Sequence, residues 1–247
     1  MRAFALLAVS ALAACAGSGT YNWAWYIFDP RDPRGLGHLR FMIDGAWATL
    51  SISIASILVS VVLGLVVAML GMSGKRVLVS INRIFVESVR AIPVLVLLLW
   101  VYYGLPVVIG LQLSVFAAGL ITLAVSDSAF EAEVFRAGIQ SVPAGQTEAA
   151  ASLGLGWAKI MWLVVLPQAI RRILPALGNQ FVYVLKMSSL ISVIGYQELT
   201  RRANELTVTE YRPLEIYSVL VIEYLILILI ASALVRRLER RLASAPH

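Results

Sequence analysis

A chain of 247 residues that is 60% hydrophobic and 14% charged, with a mean hydropathy of +0.85, is not a soluble globular protein; it is a membrane protein. The net charge of +6 does not point to nucleic acid, because the cations gather at the ends of apolar runs, where a positive-inside bias puts them. One cysteine excludes an internal disulfide, and His38 and His247 both lie outside the apolar runs, which argues against a histidine metal site.

Residues 1–20 read as a targeting segment. Arg2 precedes an apolar stretch from Phe4 to Ala14 that is too short to span a bilayer but fits the apolar region of a signal peptide. Leu12-Ala13-Ala14-Cys15 also has the form of a lipobox, which makes Cys15 a candidate for cleavage and lipidation. Residues 21–40 follow as an interfacial segment, with Tyr21, Trp23, Trp25 and Tyr26 suited to the headgroup level.

The first span is expected over about Ile43 to Met72. Thr49, Ser53, Ser56, Ser60, Gly64, Ala68 and Gly71 recur at steps of three and four, so one helix face is small or weakly polar, suited to close helix packing or to lining a substrate path. Lys75, Arg76 and Arg83 then mark a connection on the cytoplasmic side. The second span is placed at about Ala91 to Ile109, with Pro93 near its start, and the third at about Leu113 to Phe135. The third carries Asp127 and Glu131 one turn apart, and the spacing of Glu133 and Arg136 predicts a pair on one helix face.

Residues 144–167 are too polar and too small to stay in lipid. Pro143 and Gly145 punctuate the start of a short helix over Gln146 to Leu153, and Gly154 with Gly156 ends it. Ala149, Ala150 and Ala151 give that helix little side-chain bulk, which suits insertion into a cleft of another protein. Trp157 to Leu166 is predicted to add two turns, and Pro167 to force a bend before the next span. That span, Ile170 to Ile194, is interrupted by Pro175 and Gly178 and carries Lys186, Ser188 and Ser189. Residues 196–213 are polar with balanced charge, and a last span from about Leu214 to Val235 holds Glu223. The cluster Arg236, Arg237, Arg240 and Arg241 sets its end inside, with the N-terminus outside. These elements make an all-α membrane protein of about five transmembrane helices, with one membrane domain over residues 41–241.

Ions inside a bilayer cost about 2.5–3.5 kcal/mol on insertion scales, so they usually face a partner or a cavity. Asp127, Glu131, Lys186, Ser188, Ser189 and Glu223 are therefore the candidates for a substrate pathway. Lys186 either pairs with one of the three acids or meets a substrate carboxylate. No phosphate-binding loop is present, since Gly74-Lys75 lacks the upstream glycine and the following hydroxyl residue, and no catalytic elbow or metalloprotease motif appears.

Glu148-Ala149-Ala150, then Gly154, then Val164-x-Leu166-Pro167 resembles the EAA signature of ABC-importer permease subunits, with Val164 where the signature has isoleucine. Ala129 to Ser141, Gly145-Gln146, Leu166-Pro167-Gln168-Ala169 and Ser188-Ser189-Leu190 are similar to the polar amino-acid branch of that family. The resemblance implies a permease-type helical bundle whose coupling helix contacts an ATPase through Gly145, Gln146, Glu148, Ala149, Ala150, Gly154, Leu166 and Pro167. It implies two ATP-binding subunits carrying ATP and Mg, a second permease subunit, a periplasmic amino-acid-binding protein and residence in a bacterial inner membrane. It implies no cofactor on this chain. The family often has K-[DN]-[ST]-S-L where this chain has Lys186-Met187-Ser188-Ser189-Leu190, and the loss of an acid at Met187 points to acidic or neutral polar amino acids such as glutamate, aspartate or glutamine. The alternative is an ion-coupled secondary transporter using Asp127, Glu131 and Glu223, which the absence of an internal repeat disfavours.

Overall fold

The computed structural model describes residues 21–243, so Cys15 and the targeting segment lie outside the described residues. Within them the fold is built from helices, α1 (Pro33–Gly71), α2 (Arg76–Ala91), α3 (Val94–Ile109), α4 (Val115–Gln140), α5 (Ala144–Ser152), α6 (Trp157–Ile194), α7 (Leu199–Glu210) and α8 (Pro213–Ala243), with a short 3-10 turn at Trp25–Phe28. Helices α1, α4, α6 and α8 are long and apolar enough to cross a membrane. The α2–α3 pair passes the same test together but is bent by 100°.

That bend marks where the second span, expected over about Ala91 to Ile109, begins. Pro93 disfavours a helical conformation at the residue before it, and Ile92 is extended (φ −90°, ψ 125°). The chain therefore turns sharply between α2 and α3. Helix α3 is about 24 Å long at 1.5 Å per residue, and it returns the chain between α1 and α4, which run parallel.

Helix α1 begins earlier than hydropathy suggested. Asp32 accepts from the Gly35 amide at 3.3 Å and Pro33 occupies the first turn, where a missing N–H costs nothing. Its small face is the seam of the bundle, with Thr49, Ser53, Ser56, Ser60, Gly64 and Ala68 all buried. The partner is α4, running parallel. Ser60 meets Asp127 67 residues on, Gly64 meets Glu131, and Ile52 approaches Gly119. A Cβ on Gly64 would lie 2.7 Å from Glu131 Cβ and 3.1 Å from the Ser128 carbonyl oxygen, so glycine is what allows the approach.

Helix α6 continues through two prolines that the sequence marks as interruptions. A π turn over Met161–Val165 precedes Leu166, leaving Pro167 in the first turn of the following α-helical stretch, where its absent donor is an orphan anyway. Pro175 also lies inside the helix without ending it. Gly178 takes the side chain of Val235 on α8; a Cβ there would lie 2.6 Å from Val235 Cγ1. The last two turns tighten to 3-10 form over Ser188–Ile194.

At the end of the bundle that carries α7, Ile27 and Phe28 pack with Met42, Leu199, Ala203, Leu206 and Ile216. The aromatic segment is fastened there, since Ala24 N donates to Glu215 Oε1 at 2.6 Å and Tyr21 Oη donates to Glu215 Oε2. The first turn of α7 is capped by Glu198, which accepts from the amides of Thr200 (2.9 Å) and Arg201 (2.7 Å).

Candidate functional site

The polar connection at the opposite end folds as its composition requires. Helix α5 starts at Ala144, directly after Pro143, which is poor inside a helix but serves before one. It ends with Gly154 in the left-handed region (φ +77°), its amide donating to the Ala151 carbonyl at 2.9 Å and that of Leu155 to the Ala150 carbonyl at 3.3 Å. This closure needs a residue without a Cβ penalty. Gly145, Gln146, Glu148 and Ala149 are exposed, whereas Ala150 is buried. Helix α5 packs back on the first turns of α6, and Leu153 and Trp157 are left 81% and 75% exposed. The Arg172 guanidinium donates to the Ser141 carbonyl, tying α6 to the end of α4 across the connection. Leu166 is half-buried and Pro167 exposed at the second stretch of α6. The connection thus presents a short, narrow, unpartnered protrusion attached directly to α4 and α6.

The intramembrane candidates separate into three places. Asp127 is buried and accepts from Ser60 Oγ at 2.7 Å and from Gln180 Nε2, which joins α4 to α1 and α6. Glu131, one turn on, is fully buried, and neither of its carboxyl oxygens makes a hydrogen bond. Ser60 and Gln180 were not singled out by sequence as site residues. The available signals were Ser60 on the small stripe and an amide inside a span.

Lys186 pairs with none of the three acids. It is exposed, and no ion pair reaches it among the described residues. Ser188 and Ser189 turn their hydroxyls back to the carbonyls of Leu185 and Lys186, each at 2.8 Å. Glu223 stands apart on α8, with its Oε2 buried and unpartnered.

The Glu133–Arg136 pair expected from spacing also does not form. Arg90 reaches across from α2 to Glu133 at 2.7 Å and lies 4.9 Å over the Phe130 ring, while Arg136 turns to Gln140 at 3.4 Å. Arg90 gains both an acid and an aromatic face by crossing between helices, which the neighbour on its own helix cannot match. Arg90, Ser126, Phe130, Tyr183 and Met187 line a cavity of about 380 Å³ between the α2–α3 bend, α4 and α6. Its volume suits one small polar molecule. Met187 opens onto it, and Lys186 is its neighbour in sequence.

Known proteins are similar in both sequence and fold. Residues 38–244 match the family described as the inner membrane component of binding-protein-dependent transport systems. The glutamine transport system permease protein GlnP of Escherichia coli (strain K12) is 36% identical over 202 residues, covering 81% of this chain and 92% of the relative. The arginine transport system permease protein ArtQ of Bacillus subtilis (strain 168) is 33% identical, with 83% and 93% coverage. A solved structure of an amino acid ABC transporter with histidines superposes with a TM-score of 0.79 at 39% identity, covering 83% of this chain and 96% of that one. The methionine ABC transporter MetNI, in an inward-facing form, shares the fold with a TM-score of 0.70 at 21% identity.

Proposed function

We propose, on the premise that this chain belongs to the family of inner-membrane components of binding-protein-dependent transport systems, that it is the permease subunit of an ATP-driven importer of polar amino acids. The observation that carries the reading is the α5 protrusion continuous with α4 and α6. A partner that grips Gly145 to Gly154 moves two spans at once, and those spans form two walls of the 380 Å³ cavity. Hydrolysis takes place on a separate ATP-binding subunit that holds ATP and Mg. The assembly contains two such subunits, a second permease subunit and a periplasmic binding protein that delivers the substrate.

In this reading the α5 end faces the cytoplasm and the α7 end faces the periplasm. ATP-driven closure pulls α5, and α6 rocks against α1 and α4, exposing the cavity to one side and then the other. Cationic groups border the path on two levels. Arg90 lines the cavity with one acid already on it, and Lys186 is an exposed cation without an acid. An unpaired cation at membrane depth is stabilised by an anion or by water, and the α-carboxylate of an amino acid supplies the former. This supports acidic and neutral polar amino acids, such as glutamate, aspartate and glutamine, over arginine and lysine. Residues Met1 to Ala14 serve export or anchoring, with lipidation of Cys15.

Uptake into proteoliposomes that contain the permease, its ATPase and its binding protein tests the assignment against a panel of amino acids. Lys186→Met should leave assembly and basal ATPase activity intact while uptake falls. Efficient uptake of arginine alone, or ATP-independent uptake driven by an ion gradient, overturns the reading.

A further inference from the structure

The contacts at the middle of the bundle leave one carboxyl without an account. Asp127 has one donor on each oxygen, Ser60 on one and Gln180 on the other, which leaves it room to accept again. Glu131 is 0% exposed, its two oxygens have no donor, and the Ser56 hydroxyl on the facing helix is also buried without a partner. The groups that face Glu131 bring no positive charge among the described residues. Helix α1 offers Ser60 and Gly64, α6 offers Gln180 to the neighbouring Asp127, and α4 itself adds Asp127. Arg90 and Glu133 pair with each other instead.

Two bare anions one turn apart, away from water and without a cation, cost several kcal/mol more than the fold returns. Something positive must sit between them. The seam leaves little room for a hydrated ion, because Gly64 is already so close to Glu131 that a single added carbon would collide at 2.7 Å. A proton needs no room.

We infer that Asp127 and Glu131 share one proton, so that Glu131 donates to Asp127 and completes a polar lock of Ser60, Asp127, Glu131 and Gln180 across α1, α4 and α6. The lock has one net charge, and that charge sits on the carboxyl that already has two donors. Its place gives it a consequence that rests on the transport reading above. Gln180 belongs to the helix that α5 would pull, so the Gln180–Asp127 bond must break or slide whenever α6 rocks. Glu131 still donates to the Asp127 carboxylate beside Ser60 while it does.

Infrared spectroscopy on the purified chain in nanodiscs reads the proton directly and needs neither ATPase nor substrate. With glutamate labelled at the side-chain carboxyl by carbon-13, the wild type should show a protonated-carboxyl C=O band at neutral pH that shifts in deuterium oxide. That band should be lost in Glu131→Gln and kept in Glu223→Gln. A wild-type spectrum with no such band, or one unchanged in Glu131→Gln, overturns the proposal. So does a stability that follows sodium or potassium concentration, which would mean a metal ion in place of the proton. In reconstituted uptake, Glu131→Gln offers Asp127 an amide N–H and should transport at a rate within about twofold of wild type, whereas Glu131→Leu leaves the carboxylate short of a donor and should lose at least about tenfold. Equal loss in both variants, with the infrared band present in wild type, would refute the lock while leaving the transport reading intact.

Discussion

Replacing Gly64 with alanine puts one methyl group into the α1–α4 seam, and its cost follows from the contacts. The new Cβ would lie 2.7 Å from Glu131 Cβ, 3.1 Å from the Ser128 carbonyl oxygen and 3.2 Å from the Ala132 amide nitrogen. Carbon contacts are comfortable near 3.5–4.0 Å, so α1 must retreat from α4 by roughly half an ångström or more. Two of the three obstacles are backbone, which no rotamer change can clear. Overpacking of this kind costs about 1–3 kcal/mol, and alanine's better helix propensity returns at most about 1 kcal/mol. The net expectation is a loss of about 1–2 kcal/mol, with the 2.7 Å Ser60–Asp127 bond stretched as well. Gly37→Ala is the control on the same helix. Nothing lies within 4 Å of its added Cβ, so it should be neutral or stabilise by up to about 1 kcal/mol. Unfolding by SDS in mixed micelles compares the two. A Gly64→Ala protein as resistant as wild type or as Gly37→Ala would refute the close-packed seam.

Two further outcomes are expected. Gly154→Val forces a β-branched residue into a φ of +77°, a conformation costing roughly 1–2 kcal/mol, and should uncouple substrate-stimulated ATPase activity while leaving membrane insertion unchanged; Gly154→Asn, which tolerates that region, should retain most coupling. Glu198→Ala removes the acceptor for two α7 amides and should destabilise the fold by about 0.5–2 kcal/mol. Burial raises the Glu198 carboxyl above its ordinary range, so its pH-linked contribution is complete below that range and is lost as pH rises through the folded value. The gap between wild type and Glu198→Ala should therefore narrow as pH rises above the ordinary carboxylate range; a gap that widens would contradict the burial argument.

Periodicity alone located the seam of the bundle. Steps of three and four carry Thr49 through Ala68 down one face, and the structure buries that face because only small residues let two backbones meet. Turn chemistry was equally legible at Gly154, where a left-handed closure was needed and occurs. Proline was not. Pro93, Pro167 and Pro175 look alike as helix breakers, yet only the first interrupts its helix, since Ile92 is extended before it. A π turn precedes the second, and the third stays inside α6. What a proline does depends on whether neighbouring turns can take up its missing hydrogen bond, and a residue list does not contain that.

Ion pairing was the least legible feature, for a geometric reason. Spacing on one helix suggested Glu133 with Arg136, but the i,i+3 partner is one of several neighbours and is worth only a few tenths of a kcal/mol. Arg90 arrives from another helix, one residue before the bend after Ala91, so the partner of Glu133 comes from a backbone turn and not from spacing on its own helix. Lys186 makes the complementary argument. Each of its three proposed acids is occupied elsewhere or out of reach within this chain, and the lysine remains on the exposed face of α6. A cation on that face at membrane depth is stable only where something other than lipid tails covers it. Water or a polar partner group against that face of α6 would meet this requirement, and lipid tails would not.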